Sequence, residues 1–272
     1  MTLDRRSFSA LAVPMLLAVF VFPAAARKTE TGFLDRTVIV NGQAYRYEVF
    51  LPSNWDKKQK WPVILFLHGY GERGDNGRLQ TDVGLPRAIR QRDKPMPFVV
   101  VMPQCLAGEH VFTDSDMEAV ALASLDQSMK EFHGDRERTY LTGLSMGGYA
   151  TWNIAARHPR IFAAYVPVCG GVRPNHDHPK LKSSLLDDPS ISDPYAEIAR
   201  RVGKTPVWIF HGDADPSVPV EESRKMAEAL RATGGNVKYT EYPGVEHNSW
   251  DKAYAEPDLF PWLLQQKLVV LN

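Results

Sequence analysis

Five short runs of apolar and β-prone residues, at 62–67, 98–102, 139–142, 163–168 and 206–210, recur along the 272-residue chain, with polar or amphipathic segments between them. A strand with one wet face alternates polar and apolar residues; a run apolar at nearly every position suits a strand covered on both faces. Residues 117–132 have helical spacing and lie between the second and third runs, and Glu221–Ala232 predicts a helix ended by Gly234-Gly235. Strand alternating with helix predicts a mostly parallel central sheet flanked by helices on both faces. Two flanking features complete the sheet: a hairpin of 37–40 and 44–51 turning at Asn41-Gly42, and a short strand at Val237–Tyr242. With 44% hydrophobic residues, the chain suits a single large core. In sheets of this kind ligands bind beyond the carboxyl ends of the strands, so the residues just after each run are the first candidates for chemistry.

The third run leads into Gly143-Leu144-Ser145-Met146-Gly147, followed by a helical segment that stops before Pro159. A serine between strand and helix on such a turn is forced out of the backbone at the top of the sheet, and the glycines admit the close approach of the two elements. Ser145 is therefore the candidate nucleophile, and the amide of Met146, the next residue, is a candidate oxyanion donor. A serine hydroxyl needs a base at neutral pH. Of eight histidines, His247 fits by its place in the loop after the last strand, whereas His68 and His211 sit at strand ends and read as structural. His110, His133, His158, His176 and His178 occupy polar loops or helix ends and read as solvated. The imidazole requires a carboxylate to fix its tautomer. Asp213 and Asp215 both follow the fifth run.

Four segments, FLHGYGERG, YLTGLSMGGYATW, WIFHGDADPSVP and GVEHNSWDKAY, resemble the esterase and "predicted peptidase" branch of the α/β-hydrolases, over residues 45–264. They are similar to carboxylesterases, feruloyl esterases, dienelactone hydrolases, acyl-protein thioesterases and polyhydroxybutyrate depolymerase-like proteins. The resemblance implies an α/β-hydrolase fold, a serine hydrolase acting on ester bonds through an acyl-enzyme, Asp215 as the acid of the triad, and the Tyr70 amide as the second oxyanion donor. Asp213 is left a turn-capping role. Trp250 is a candidate wall of the substrate pocket, and Trp152 is expected in the core. Residues 172–204 are longer and more polar than a minimal connection and are a candidate cap. Their His176-Asp177-His178 triplet reads as a solvated loop rather than a metal site, so neither a metal nor another cofactor is expected.

Arg5-Arg6-Ser7-Phe8, the apolar run 10–22 and Ala24-Ala25-Ala26 predict a signal peptide over residues 1–26, resembling a twin-arginine signal, with a catalytic domain at 27–272. An ordinary secretory signal fits the same residues. The apolar run falls short of the roughly 20 residues that span a bilayer, so no membrane span is expected after cleavage. The expected location is periplasmic or secreted, with the twin-arginine machinery as a partner during export. The 32 basic and 32 acidic residues cancel, which argues against a nucleic-acid partner. Cys105 and Cys169 follow strands expected to stand about 14 Å apart in the sheet. A disulfide needs Cα atoms within about 7 Å, so two free, partly buried thiols are expected. Ester hydrolysis on short-chain or carbohydrate-linked acetyl or feruloyl groups is the leading function. A serine peptidase with the same triad is the alternative, and a non-catalytic carbohydrate-binding homologue a remote one.

Overall fold

A computed structural model describes residues 30–268. The expected export signal at 1–26 lies outside them. Strands β1 (Gly32–Val40) and β2 (Gln43–Leu51) form the expected hairpin. Its turn residues Asn41 and Gly42 have φ of 51° and 79°, the left-handed pair that matches the twist of two adjoining strands. Strands β3 (Trp61–Leu67), β4 (Val99–Pro103), β5 (Gly134–Leu144), β6 (Ala164–Val168), β7 (Val207–Gly212) and β8 (Val237–Tyr242) complete an eight-stranded sheet of order β1-β2-β4-β3-β5-β6-β7-β8. The hairpin joins β4 antiparallel; every pairing from β4 to β8 is parallel. This is the α/β-hydrolase fold.

The run at 62–67 owes its apolar character to two cores. Val63, Leu65 and Leu67 point into one, under α2 (Ser115–Glu131), α3 (Met146–Arg157), α4 (Pro194–Val202) and α5 (Glu221–Ala232). Ile64 and Phe66 point into the other, under α1 (Leu85–Gln91), α6 (Trp250–Ala255) and α7 (Leu259–Gln265). The alternation follows from the period of two along a strand. In α5 the buried residues Glu222, Ser223, Met226, Ala227 and Leu230 mark a helical stripe, while its other face is solvated. No helix among the described residues is long and apolar enough to cross a membrane.

From β3 the chain goes to β4 on one side, then crosses back to β5 on the other. The carboxyl ends of β3 and β5 flank this reversal, the place where open α/β sheets form a crevice. Cys105 follows β4 and Cys169 follows β6, with β3 and β5 between, and both are free thiols. Both are fully buried, more so than expected. Burial pushes the Cys105 thiol up to about 12.

His68, one residue beyond β3, ties the site to the sheet. Its Nδ1 lies 2.6 Å from the Gly69 carbonyl and its Nε2 accepts the Cys105 amide at 3.0 Å. This pairing requires the neutral ring with its proton on Nδ1, since a proton on Nε2 would face another donor. Burial pushes the ring's pKa down to about 4. The unfolded ring titrates near 6.5, so the unfolded state binds the extra proton first and stability falls as pH drops from about 6.5 to 4. The expected loss is about 3 kcal/mol, from the shift of about 2.5 units at 1.36 kcal/mol each. Denaturant unfolding across this range should show a slope that His68→Gln removes, although that variant should be less stable at pH 7. An unchanged slope would refute the assignment.

Candidate active site

The elbow after β5 is steeply constrained. Ser145 has φ 51° and ψ −114°, a conformation costly for a residue with a side chain, and it is held by Ser145 N–H donating to the Val168 carbonyl at 2.9 Å. A Cβ on Gly147 would stand 2.0 Å from the Leu67 carbonyl oxygen, and one on Gly143 would stand 2.3 Å from that of Gly147. Helix α3 therefore meets β3 and β5 through bare backbone. The strain turns the Ser145 side chain out at the N-terminus of α3, where the helix dipole favours negative charge.

His247 lies in the loop after β8. Its Nε2 is 2.9 Å from Ser145 Oγ and its Nδ1 is 2.7 Å from Asp215 Oδ2. The Asp215 side chain is fully shielded from solvent. Burial by itself would raise its carboxyl; hydrogen bonds from His211, His247 and the Val218 amide overcome that and hold it well below the usual carboxylate range. Its Oδ1 accepts the amides of Ser217 at 2.8 Å and Val218 at 2.9 Å, which explains the Pro-Ser-Val sequence that follows. Asp213 is exposed and accepts the Gly244 amide at 2.6 Å, bracing the loop that carries His247. The structure thus brings Ser145, His247 and Asp215 together, and leaves Asp213 capping a turn.

The Met146 side chain is fully buried, and its amide is the first of α3. Tyr70 opens a 3-10 turn, Tyr70–Glu72, in the loop after β3. Neither amide has a protein acceptor among the described residues. Ser145, Gly69, Tyr70, Glu72, His247 and Trp250 line one cavity of about 240 Å³. Trp250 stands edge-on to His247 with ring centroids 5.4 Å apart, and Trp152 is in the core. A larger groove of about 780 Å³ lies at the opposite end of the strands, by the amino ends of β6 and β7, and holds none of the predicted site residues.

Several functional neighbours escaped the sequence reading. His178 is not a bystander in solvent: its ring stacks on Tyr70 at 3.9 Å and 17°, while the Arg73 guanidinium covers Tyr70 at 3.4 Å. Tyr70 is thus clamped between the loop after β3 and the segment 172–204, whose residues Asn175, Asp177, His178 and Leu181 wall the cavity. The base of that segment is pinned by buried Glu222, which accepts the amides of Val172 and Arg173 and the Tyr195 hydroxyl. His158 also has a partner, buried Glu118, at 2.8 Å. His176 points into solvent, apart from any metal-binding group of three among the described residues. His211 is structural as expected, yet it shares Asp215 Oδ2 at 3.2 Å and pairs with Ser223 at 2.7 Å. Its place four residues before Asp215 was the available signal. Glu72 turns its carboxylate back on the amides of Gly69 and itself, and burial raises its carboxyl above the ordinary value.

The arrangement can abstract a proton from Ser145, hold the resulting imidazolium against a carboxylate, and offer two free amides to a developing oxyanion. Comparison with known proteins shows the class of enzyme, a serine hydrolase. The model described as the prolyl oligopeptidase family matches residues 115–266, more than half of the chain. The chain is 26% identical to acyl-protein thioesterase 1 of Gibberella zeae over 90% of its own length and 94% of the relative's. It is 28% identical to an endo-1,4-beta-xylanase/feruloyl esterase of Xylanibacter ruminicola over 76% of its length, but spans 27% of that protein. A solved thermostable esterase superposes with a TM-score of 0.69 at 32% identity, over 86% of this chain and 63% of the other.

Proposed function

The chain belongs to the prolyl oligopeptidase family, and on that premise we propose that Ser145, His247 and Asp215 hydrolyse carboxylic esters through an acyl-enzyme, outside the cytoplasm. The chain is a serine hydrolase of the carboxylesterase type. The observation that carries the proposal is His247, bridging Ser145 at 2.9 Å and Asp215 at 2.7 Å in the wall of a cavity. His247 takes the Ser145 proton as Oγ attacks the acyl carbonyl, and the amides of Tyr70 and Met146 receive the oxyanion. The same imidazole, now protonated, donates to the departing alcohol. Water then repeats the sequence on the acyl-enzyme and releases the acid.

The substrate class in this reading is a short-chain or carbohydrate-linked acetyl or feruloyl ester. A cavity of about 240 Å³ suits a compact acyl group, and Trp250 with Tyr70 offers aromatic walls beside the polar Asn175, Asp177 and Glu72. The feruloyl-esterase relative supports the same class. The twin-arginine-like residues Arg5-Arg6-Ser7-Phe8 support export to the periplasm or beyond.

The test is turnover by purified protein and Ser145→Ala on p-nitrophenyl acetate, p-nitrophenyl decanoate, methyl ferulate and a peptide anilide. Serine-dependent turnover of acetate or ferulate with little on the decanoate supports the proposal. The family match favours a second reading, a peptidase using the same residues. Turnover of the anilide alone would establish that reading and overturn the ester one.

A further inference from the structure

Cys169, the residue after β6, has φ of 40°, the left-handed region that a side chain adopts only when its surroundings hold it there. It is fully buried. Its Sγ, a carboxylate oxygen of Asp215 and a ring nitrogen of His247 lie within 4.8 Å of one another. Ser249 faces the same thiol. The Ser249 side chain is fully buried too, and among the described residues its hydroxyl has no oxygen or nitrogen partner, only the Cys169 sulfur that it faces. The hydroxyl thus sets one more oxygen beside the sulfur, nitrogen and carboxylate ligands of this cluster.

We propose that Cys169, Asp215 and His247, with the Ser249 hydroxyl beside them, form an inhibitory site for a thiophilic divalent cation such as zinc. Thiolate, imidazole and carboxylate together suit zinc or cadmium and disfavour magnesium and calcium. His247 Nδ1 and Asp215 Oδ2 stand 2.7 Å apart around a shared proton. Two tetrahedral ligands at zinc distances of about 2.0 Å are about 3.3 Å apart, so the pair must open by about half an ångström to admit the ion. The exchange balances simply. The cation bonds to Sγ, Nδ1 and Asp215 Oδ2, the Cys169 thiol releases its proton to solvent, the single proton of His247 moves from Nδ1 to Nε2, and Oδ2 keeps its hydrogen bond from His211. With Nε2 protonated, the ring has no lone pair for the Ser145 hydroxyl. The inhibitory consequence rests on His247 being the base; the binding of the cation does not.

Two readouts keep these apart. Zinc chloride should abolish ester turnover after preincubation, and EDTA should restore it. Cys169→Ala should keep basal turnover and raise the half-inhibitory zinc concentration by at least the roughly 10–100-fold that loss of an outer-shell partner alone costs a metal site. His176→Ala/His178→Ala should remain sensitive, because those rings belong to the rim. Cadmium should induce an ultraviolet sulfur-to-metal charge-transfer band in Ser145→Ala, where activity plays no part, and the band should vanish in Ser145→Ala/Cys169→Ala. The proposal is overturned if inhibition survives in Cys169→Ala, or if no Cys169-dependent band forms. A band without loss of turnover in the active protein would overturn the inhibitory role and count against His247 as base.

Discussion

Ser145→Ala is expected to lower kcat by about 10⁶-fold on any ester the protein turns over, as removal of a triad serine does elsewhere. Among the described residues the hydroxyl has one polar partner, His247 at 2.9 Å, and Ser217, the other serine lining the cavity, makes no hydrogen bond to that ring. Cys169 is too deeply buried, and burial holds its thiol protonated, well above its ordinary value. The fold should be indifferent to the change. Alanine retains the Cβ that the elbow already accommodates, and the Ser145 amide keeps its bond to Val168. The loss of one hydroxyl hydrogen bond should change stability by about 1 kcal/mol at most. Stopped-flow turnover, labelling by a fluorophosphonate and thermal melting on the same preparations separate these effects. A melting curve like that of the parent together with a silent active site is the expected pattern. Residual turnover within about tenfold of the parent would remove Ser145 from the mechanism, because the oxyanion donors and binding alone give far less.

Asp215→Asn should lower kcat by about 10⁴-fold, through the tautomer of His247 rather than through charge alone. The carboxylate accepts from His247 Nδ1, which leaves Nε2 free to accept the Ser145 proton. An asparagine oriented to keep the Ser217 and Val218 amides on its oxygen presents its NH₂ to His247. Nδ1 must then accept, the ring proton moves to Nε2, and the base is lost. The same NH₂ meets His211 Nε2, which also lies 3.0 Å from the Val218 carbonyl and is thereby fixed as a donor. Two donors facing each other in a site shielded from solvent make this variant less stable as well as slow. Asp213→Asn is the control, since its oxygen can still accept the Gly244 amide. Its turnover should stay within about threefold of the parent, as substitutions on exposed positions usually do little to a fold. The reverse ranking, with Asp213→Asn the slow variant, would reassign the acid. Titration of activity between pH 5 and 9 adds a further check, because Asp215→Asn should recover some rate at high pH, where water-derived base competes, whereas Ser145→Ala should not.

The distribution of legible and hidden features follows from the range of the interactions behind them. Residues 62–67 announced a strand buried on two faces because both cores press on it, and Asn41-Gly42 announced its turn because few other pairs tolerate two positive φ values. Ser145 stood out because its strained elbow demands glycines within two residues on either side. By contrast β5 begins at Gly134, well before the run at 139–142, because its first half is polar and pairs only at one end. Helices α1, α6 and α7 were not anticipated. They are short, and they are held by their packing on the sheet rather than by propensity.

The local events are legible in the residues alone: the alternation that builds a parallel sheet, the elbow at Ser145, and loops after the strands carrying His247 and Asp215. These depend on neighbours a few residues apart, where sterics and periodicity act. What those loops meet follows from long-range packing. It set Asp215 rather than Asp213 against His247, gave the same carboxylate a second histidine in His211, stacked His178 on Tyr70, and buried Cys169 beside Asp215 and His247. Such contacts join residues up to about a hundred positions apart, and a hydrogen bond of 2.7–3.2 Å exists only once the sheet order has brought its two ends together.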